Sequence, residues 1–412
     1  MNEGHFTNEK GGLIDGIEAN KIEPKEVMSS QIIMNSFSTI NLPYDGNVDL
    51  NSFERILEEK LSSSYKIFWF FGIFKEILNE KKNITFRRLV CRMIIGAWYP
   101  VTQYKLNLGI QDRLYDLVLL IHRRYNIPRD EKEEKLLEFL ESINDVEVER
   151  CIKSLHEYVP YRLLSPFYSR ELTKTRDILK KNGGKTNKYI ASLTKLDNRA
   201  IYRIDVDNKS IKINDSWYRY IRINQNIIYG WMHYKLVCYL QKRNPNVPAI
   251  PFKITAPVKR DLTRAKKLWR EISKDMAVID IYTGKSLTKD NFSIHGELSI
   301  DHFIPWSFVL HDELWNLVPT FKNINSGKSN KLPSLDIYLD KFCEIQYESF
   351  DIMQRSPKKY SKNLDEYLSI NVAVGNGRKI EKEDFTKSLK ASIEPLYQIA
   401  YNQGYDLWRK DL

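Results

Sequence analysis

Residues 299–331 read SIDHFIPWSFVLHDELWNLVPTFKNINSGKSNK. Asp301 and His302 are adjacent, Asn316 follows the histidine by 14 residues, Asn325 comes 9 residues later, and Lys328 and Ser329 follow at three and four. A carboxylate and an amide oxygen are hard donors, suited to Mg²⁺ or Mn²⁺ and poorly suited to zinc. An imidazole titrates near neutrality and can take a proton from water. A divalent ion can stabilise charge on a leaving oxygen and on a crowded phosphorane. Together these groups are the parts for metal-assisted hydrolysis of a phosphodiester.

The elements that must position them are short. Residues 298–303 alternate as a strand does, and Pro305 ends it. Residues 308–313 read as a loop and 317–319 as a second strand, after which Thr320 is expected to cap a helix running to about Lys331. Asp301 and His302, as neighbours on a strand, point to opposite faces. Asn325, Lys328 and Ser329 share one face of the helix. A helix packed on the hairpin would bring carboxylate, amide and imidazole together.

These residues and spacings, with Pro305, Ser307-Phe308 and Gly327-Lys328-Ser329, resemble the HNH (ββα-metal) endonuclease module, and in particular the HNH domain of the CRISPR RNA-guided DNA nucleases. The resemblance implies that Asp301 and Asn325 bind one catalytic Mg²⁺ or Mn²⁺ ion and that His302 is the general base. It implies that Asn316 braces the loop and orients His302, and it places Lys328 near the active site. The whole chain resembles, more loosely, bacterial HNH endonuclease proteins of restriction or antiphage-defence type. The implied function is metal-dependent cleavage of DNA, most readily double-stranded. An RNase using the same site, and a non-catalytic nucleic-acid-binding protein with a structural HNH fold, are the alternatives.

Many HNH modules carry two CxxC pairs that hold a structural zinc. Here the first pair would fall near Ile281 to Gly284 and the second at Phe321 and Ile324, and neither contains cysteine. No structural zinc is expected, with Ile281, Phe321 and Ile324 filling the space. His311, in the loop after the first strand, and His295, at its approach, read as solvated loop residues rather than as a second metal ligand or substrate contact. His122, His156 and His233 lie among helical residues and aromatics. Trp98, Trp217 and Trp231 could stack bases but read as aromatic core.

Upstream, residues 255–275 read as a basic amphipathic helix. Its Arg264, Lys266, Lys267 and Arg270 are candidate nucleic-acid contacts. A solvated charged face is the other reading of such a stretch, and its place just before the motif favours phosphate contact.

Composition sets the frame. The 412 residues carry 64 Lys+Arg against 53 Asp+Glu, a net charge of +11, which favours a polyanionic partner. With 42% hydrophobic and 28% charged residues the chain is globular, not disordered. Four cysteines with no CxxC pair argue against a disulfide framework and suit a reducing cytoplasm. The polar N-terminus, with no apolar run, is not expected to act as a secretory signal. The apolar run at 67–74 falls far short of the roughly 20 residues a spanning helix needs, so no membrane is expected. No GxxxxGK[ST] occurs, so a partner would have to supply any ATPase or sensing function, and a homo-oligomer remains open.

The fold expected is mainly α with a small α+β module. Residues 1–46 form a loose lead-in, 47–180 a helical domain and 181–254 a connecting hairpin with helices. Residues 255–345 form the nuclease module and 346–412 a closing helical region. Helices are expected at 65–78 and, capped by Thr85 and closed by Pro100, at 85–98. Others fall at 112–124, 130–143, 146–158 and 228–241. Residues 180–188 (KKNGGKTNK) read as a flexible segment, and the hairpin spans 201–213 with Asn214 or Asp215 capping the helix after it.

Overall fold

The apolar run at 67–74 folds as the middle of a helix, Tyr65–Leu78, in a computed structural model that describes residues 42–57, 61, 63–110, 112–175, 183–256, 260–376 and 378–410. Ile67, Phe68, Trp69 and Phe70 point to successive faces and are all buried. A helix apolar all round has to be surrounded. Phe86–Trp98 packs beside it, started by Thr85, whose hydroxyl accepts a hydrogen bond from the Arg88 amide at 3.2 Å. Glu76, buried between the two, accepts from Arg92 at 2.6 Å and Arg88 at 3.1 Å. The α-helix ends at Trp98, as expected ahead of Pro100. The chain continues into a π-turn, Tyr99–Gln103, with the proline in its first turn, where a missing N–H is tolerated. Arg113–Tyr125, Glu133–Ser142 and Val146–Leu155 follow, the first and last capped by Asp112 and Asp145.

β1 (Asn83–Thr85), β2 (Tyr202–Asp205) and β3 (Ser210–Ile213) form an antiparallel sheet in the order β1-β3-β2. The hairpin was legible in the sequence; β1, three residues long, was not. It ties the first helices to the hairpin across the expected division at 180–181. The segment expected to be flexible is helical over Gly183–Leu196, and its residues 180–182 lie outside the described part. Tertiary contact overrides the glycines here: Asn187 donates to the Glu157 carbonyl at 3.0 Å and Ile190 is buried. Asn214 is no side-chain cap, because its amide donates to the Ala200 carbonyl at 2.7 Å instead. Helices Asp215–Ile223 and Gln225–Arg243 lead to the proline-rich stretch, which ends in a 3₁₀ turn, Ile250–Phe252.

The basic helix is shorter than expected, Thr263–Ile272, and residues 257–259 before it lie outside the described part. β4 (Leu298–His302) and β5 (Leu317–Phe321) pair antiparallel, with Asp301 opposite Val318 and His302 opposite Leu317. The second strand runs two residues past its expected end. Thr320 therefore lies inside it, paired with Ser299, and does not cap the helix Lys322–Lys328, which has no side-chain cap. A helical turn, Trp306–Val309, takes in the first two residues of the expected loop at 308–313, and a 3₁₀ turn, Leu314–Asn316, follows it.

Helices Leu335–Arg355 and Lys382–Asn402 follow, the first running unbroken through the expected division at 345–346. Phe342 stacks on Phe303 at 4.1 Å, just past β4. Gln346 donates to the carbonyls of Leu314 and Leu317 at 3.2 and 2.6 Å. β6 (Leu332–Pro333) and β7 (Leu407–Trp408) pair in parallel. The closing helices and the C-terminal strand thus buttress the hairpin that carries the motif. The architecture is mostly helical, as the sequence reading holds. Among the described residues no helix is long and apolar enough to cross a membrane.

Candidate active site

β4 delivers Asp301 and His302 into one place with 3% and 4% of their surfaces exposed. The helix Lys322–Lys328 lies over the hairpin and brings Asn325 and Lys328, one turn apart, down onto β4. Asn325 donates to Ser299 Oγ at 2.8 Å and to the Ile300 carbonyl at 2.9 Å. Those two bonds fix the amide, and its Oδ1 accepts nothing from the described residues. Lys328 is fully buried. Its ammonium reaches the His302 carbonyl at 2.8 Å and the two Asp301 oxygens at 3.2 and 3.0 Å. Burial lowers its pKa and the Asp301 carboxylate works against that.

Asn316 is fully buried and clamps the turn after β4. Its side chain accepts from the Ile304 amide at 2.8 Å and donates to the Ile304 carbonyl at 2.9 Å, while its backbone carbonyl accepts from Phe303 at 2.9 Å. An asparagine side chain offers a donor and an acceptor in the spacing of a peptide unit, which suits it to replace a missing strand neighbour.

Two contacts escaped the sequence reading. The Tyr282 hydroxyl donates to Asp301 Oδ2 at 2.6 Å. Burial, and then the Asp301 charge, raise the Tyr282 pKa well above its ordinary value, so the hydroxyl keeps its proton and stays a donor. Tyr338 and Trp408 hold the ring edge-on at 5.2 and 5.1 Å. His302 Nε2 lies 2.7 Å from Asp312 Oδ1. Neither residue belongs to the matched spacing, and only a contact across 10 or 19 positions reveals it.

A cleft of about 340 Å³ opens over Asp301, His302 and Asn325. Its rim carries Arg260, Lys266, Trp306 and Asn330, and the Arg260 guanidinium lies 5.0 Å above the Trp306 ring. Of the four candidate contacts on the basic helix, Lys266 alone lines this cleft. Arg264 is ion-paired with Glu366, Lys267 is exposed, and Arg270 lines a separate hollow beside Glu297 and Pro319. His311 packs on Trp315 at 5.1 Å, and burial, then His302, push its pKa down to about 4. His295 lies 3.0 Å from the Lys285 ammonium. Trp98, Trp217 and Trp231 are buried. Where cysteine pairs would have stood, Ile281 and Phe321 are buried and Ile324 is half-buried.

Among the described residues, no cluster of three or more His, Cys, Asp and Glu side chains is placed to hold a metal ion. The donors present are an oxygen pair instead. A carboxylate offers roughly four lone-pair sites. Three are taken on Asp301, by Tyr282 and Lys328 on Oδ2 and by Lys328 on Oδ1. One on Oδ1 remains, and Asn325, whose amide oxygen accepts nothing from the described residues, lines the same cleft. This pair fits a hard divalent ion that keeps most of its waters, and Lys328 makes the fit a weak one by offsetting the one negative charge.

No curated protein and no solved structure gives a match to the chain. Residues 280–334, which contain Tyr282, both strands and the helix above them, match the family model for HNH endonuclease, and this supports a nuclease domain that acts on nucleic acid.

Proposed function

We propose that the protein is a metal-dependent HNH endonuclease that hydrolyses phosphodiester bonds of DNA. The observation that carries this reading is the single cleft in which Asp301, His302 and Asn325 meet beneath Lys266, within the segment that resembles HNH endonucleases. Lys266 and Arg260 draw the phosphate backbone to the cleft. Asp301 and Asn325 hold one Mg²⁺ or Mn²⁺ ion, which when bound supplies Lewis-acid stabilisation of the phosphorane and of the leaving oxygen. His302 takes the proton of a water whose oxygen attacks phosphorus. The P–O3′ bond breaks and O3′ takes a proton from water, leaving a 5′ phosphate and a 3′ hydroxyl. Asn316 holds the turn that aims His302. One such site cuts one strand, so a double-strand break needs two copies, two visits or a partner. We extend the reading to restriction or antiphage defence only on the loose likeness of the sequence to bacterial HNH proteins of that type.

Lys328 favours one competing reading, a nucleic-acid-binding protein with a structural HNH fold, because its ammonium already neutralises Asp301. Supercoiled plasmid incubated with Mg²⁺ or with EDTA separates the two. Nicking that requires Mg²⁺, and a fall of about 10²–10⁴-fold in His302→Ala with plasmid affinity retained, are expected. Intact plasmid under every divalent ion, or a His302→Ala protein as fast as wild type, sinks the proposal. Offering RNA alongside tests the RNase alternative.

A further inference from the structure

The geometry points to Asp312 as the positioning residue for His302: its carboxylate holds the imidazole by Nε2 and leaves Nδ1 as the nitrogen that takes the proton. This rests on the nuclease reading above for its consequence, but not for its geometry.

An ionised carboxylate only accepts hydrogen bonds. The 2.7 Å contact between Asp312 Oδ1 and His302 Nε2 therefore puts the ring proton on Nε2. In a neutral ring the lone pair then lies on Nδ1. His302 is buried, so few other partners compete for either nitrogen. Asp312, with 36% of its side chain exposed, reaches in from the loop on the solvent side.

That loop is held. Leu310 takes a left-handed backbone, φ 58°, which turns the chain back towards the end of β4. Two residues beyond Asp312, the Leu314 amide donates to Glu366 at 2.8 Å. Asn316 then locks the same loop to Ile304. The Asp312 carboxylate is therefore presented to His302 by a turn fixed at both ends. Neither metal-ligand candidate takes part, since Asp301 and Asn325 bond to Tyr282, Lys328 and the backbone of β4. An aspartate that sets the tautomer and orientation of a basic histidine is a recurrent device, and it raises rate without touching substrate.

The test uses the full chain labelled with ¹⁵N-histidine, and supercoiled plasmid with Mg²⁺. In wild type the His302 Nε2–H resonance, identified by its loss in His302→Ala, is expected to be shifted downfield and protected from exchange. Asp312→Ala is expected to erase that signal and to lower kcat for nicking about 10–100-fold. The plasmid KM should stay within about twofold, because phosphate contacts lie elsewhere. Asp312→Glu should recover part of both signal and rate. A protected Nε2–H that survives in Asp312→Ala, or a kcat equal to wild type, overturns the assignment. So does a loss expressed in KM alone. Should Asp312→Ala fail to fold, Asp312→Leu, of similar size and with no acceptor, carries the same two readouts. Plasmid left intact by wild-type protein defeats the nuclease reading, while the imidazole signal still decides whether Asp312 holds His302.

Discussion

Asn323 and Asn325 sit two residues apart on one short helix, about 200° around it at 3.6 residues per turn. Only one can face Asp301. Asn325 lines the cleft and bonds to β4, whereas the Asn323 side chain lies against Gly296, where its Oδ1 would stand 3.1 Å from an added Cβ. Gly296 has φ 84°, so that turn both needs a glycine and leaves no room for another side chain. Asn325→Ala is expected to lower nicking at fixed Mg²⁺, or raise the Mg²⁺ needed for half-maximal rate, by at least about tenfold. Asn323→Ala should leave both unchanged. A Mg²⁺ titration of the two variants decides it, and the reverse result puts the metal pair out of register. Lys328, one turn beyond Asn325, belongs to the same scale. Burying an ammonium costs several kcal/mol unless it is paired, and Asp301 and the His302 carbonyl supply that pairing.

At the scale of the element, the basic helix Thr263–Ile272 divides into two faces. Ala265, Leu268, Trp269 and Ile272 are buried, at helical spacing. The charged residues between them do not point one way. Lys266 stands over the cleft and Arg270 stands over another hollow. A phosphate contact contributes roughly 0.9 to the slope of log K against log salt. Lys266→Ala is thus expected to flatten the slope for DNA binding by about that amount, and Arg270→Ala to leave it unchanged. Equal slopes for wild type and Lys266→Ala would show that the cleft rim does not touch phosphate.

At the scale of the whole molecule, Lys253 joins parts distant in sequence. It follows the 3₁₀ turn Ile250–Phe252, is fully buried, and donates to the carbonyl of Phe308 in the turn beside the active site. Burial pushes its pKa down to about 7 from an ordinary value near 10.5. Between those two values the unfolded chain binds more protons than the folded one, so stability rises with pH across that window. Below about 7 both states are protonated and the slope disappears. Lys253→Met removes the group. Urea unfolding of both proteins from pH 7 to pH 10 should show wild type gaining on the variant by about 1.4 kcal/mol per pH unit at most. Parallel curves across that range would mean that Lys253 titrates normally.

The sequence by itself determined the residues and the short-range elements. Asp301, His302, Asn316 and Asn325 were legible as candidates from type and spacing. So were β4, the helix Tyr65–Leu78 and the Thr85 cap, because period and capping are local rules written within a few residues. What remained hidden depended on contacts between distant segments. β1 is three residues that become a strand only because β3 lies beside them. The glycines at 183–184 stay helical because the rest of that helix packs against the core. Thr320 looked like a cap because its hydroxyl and its place before a helix satisfy the local rule, and strand pairing with Ser299 overruled it. Tyr282 on Asp301 and Asp312 on His302 follow no spacing that a linear reading can use. Their side chains meet the site only once the turn before β4 and the loop after it have folded back, and that geometry is set by tertiary packing alone.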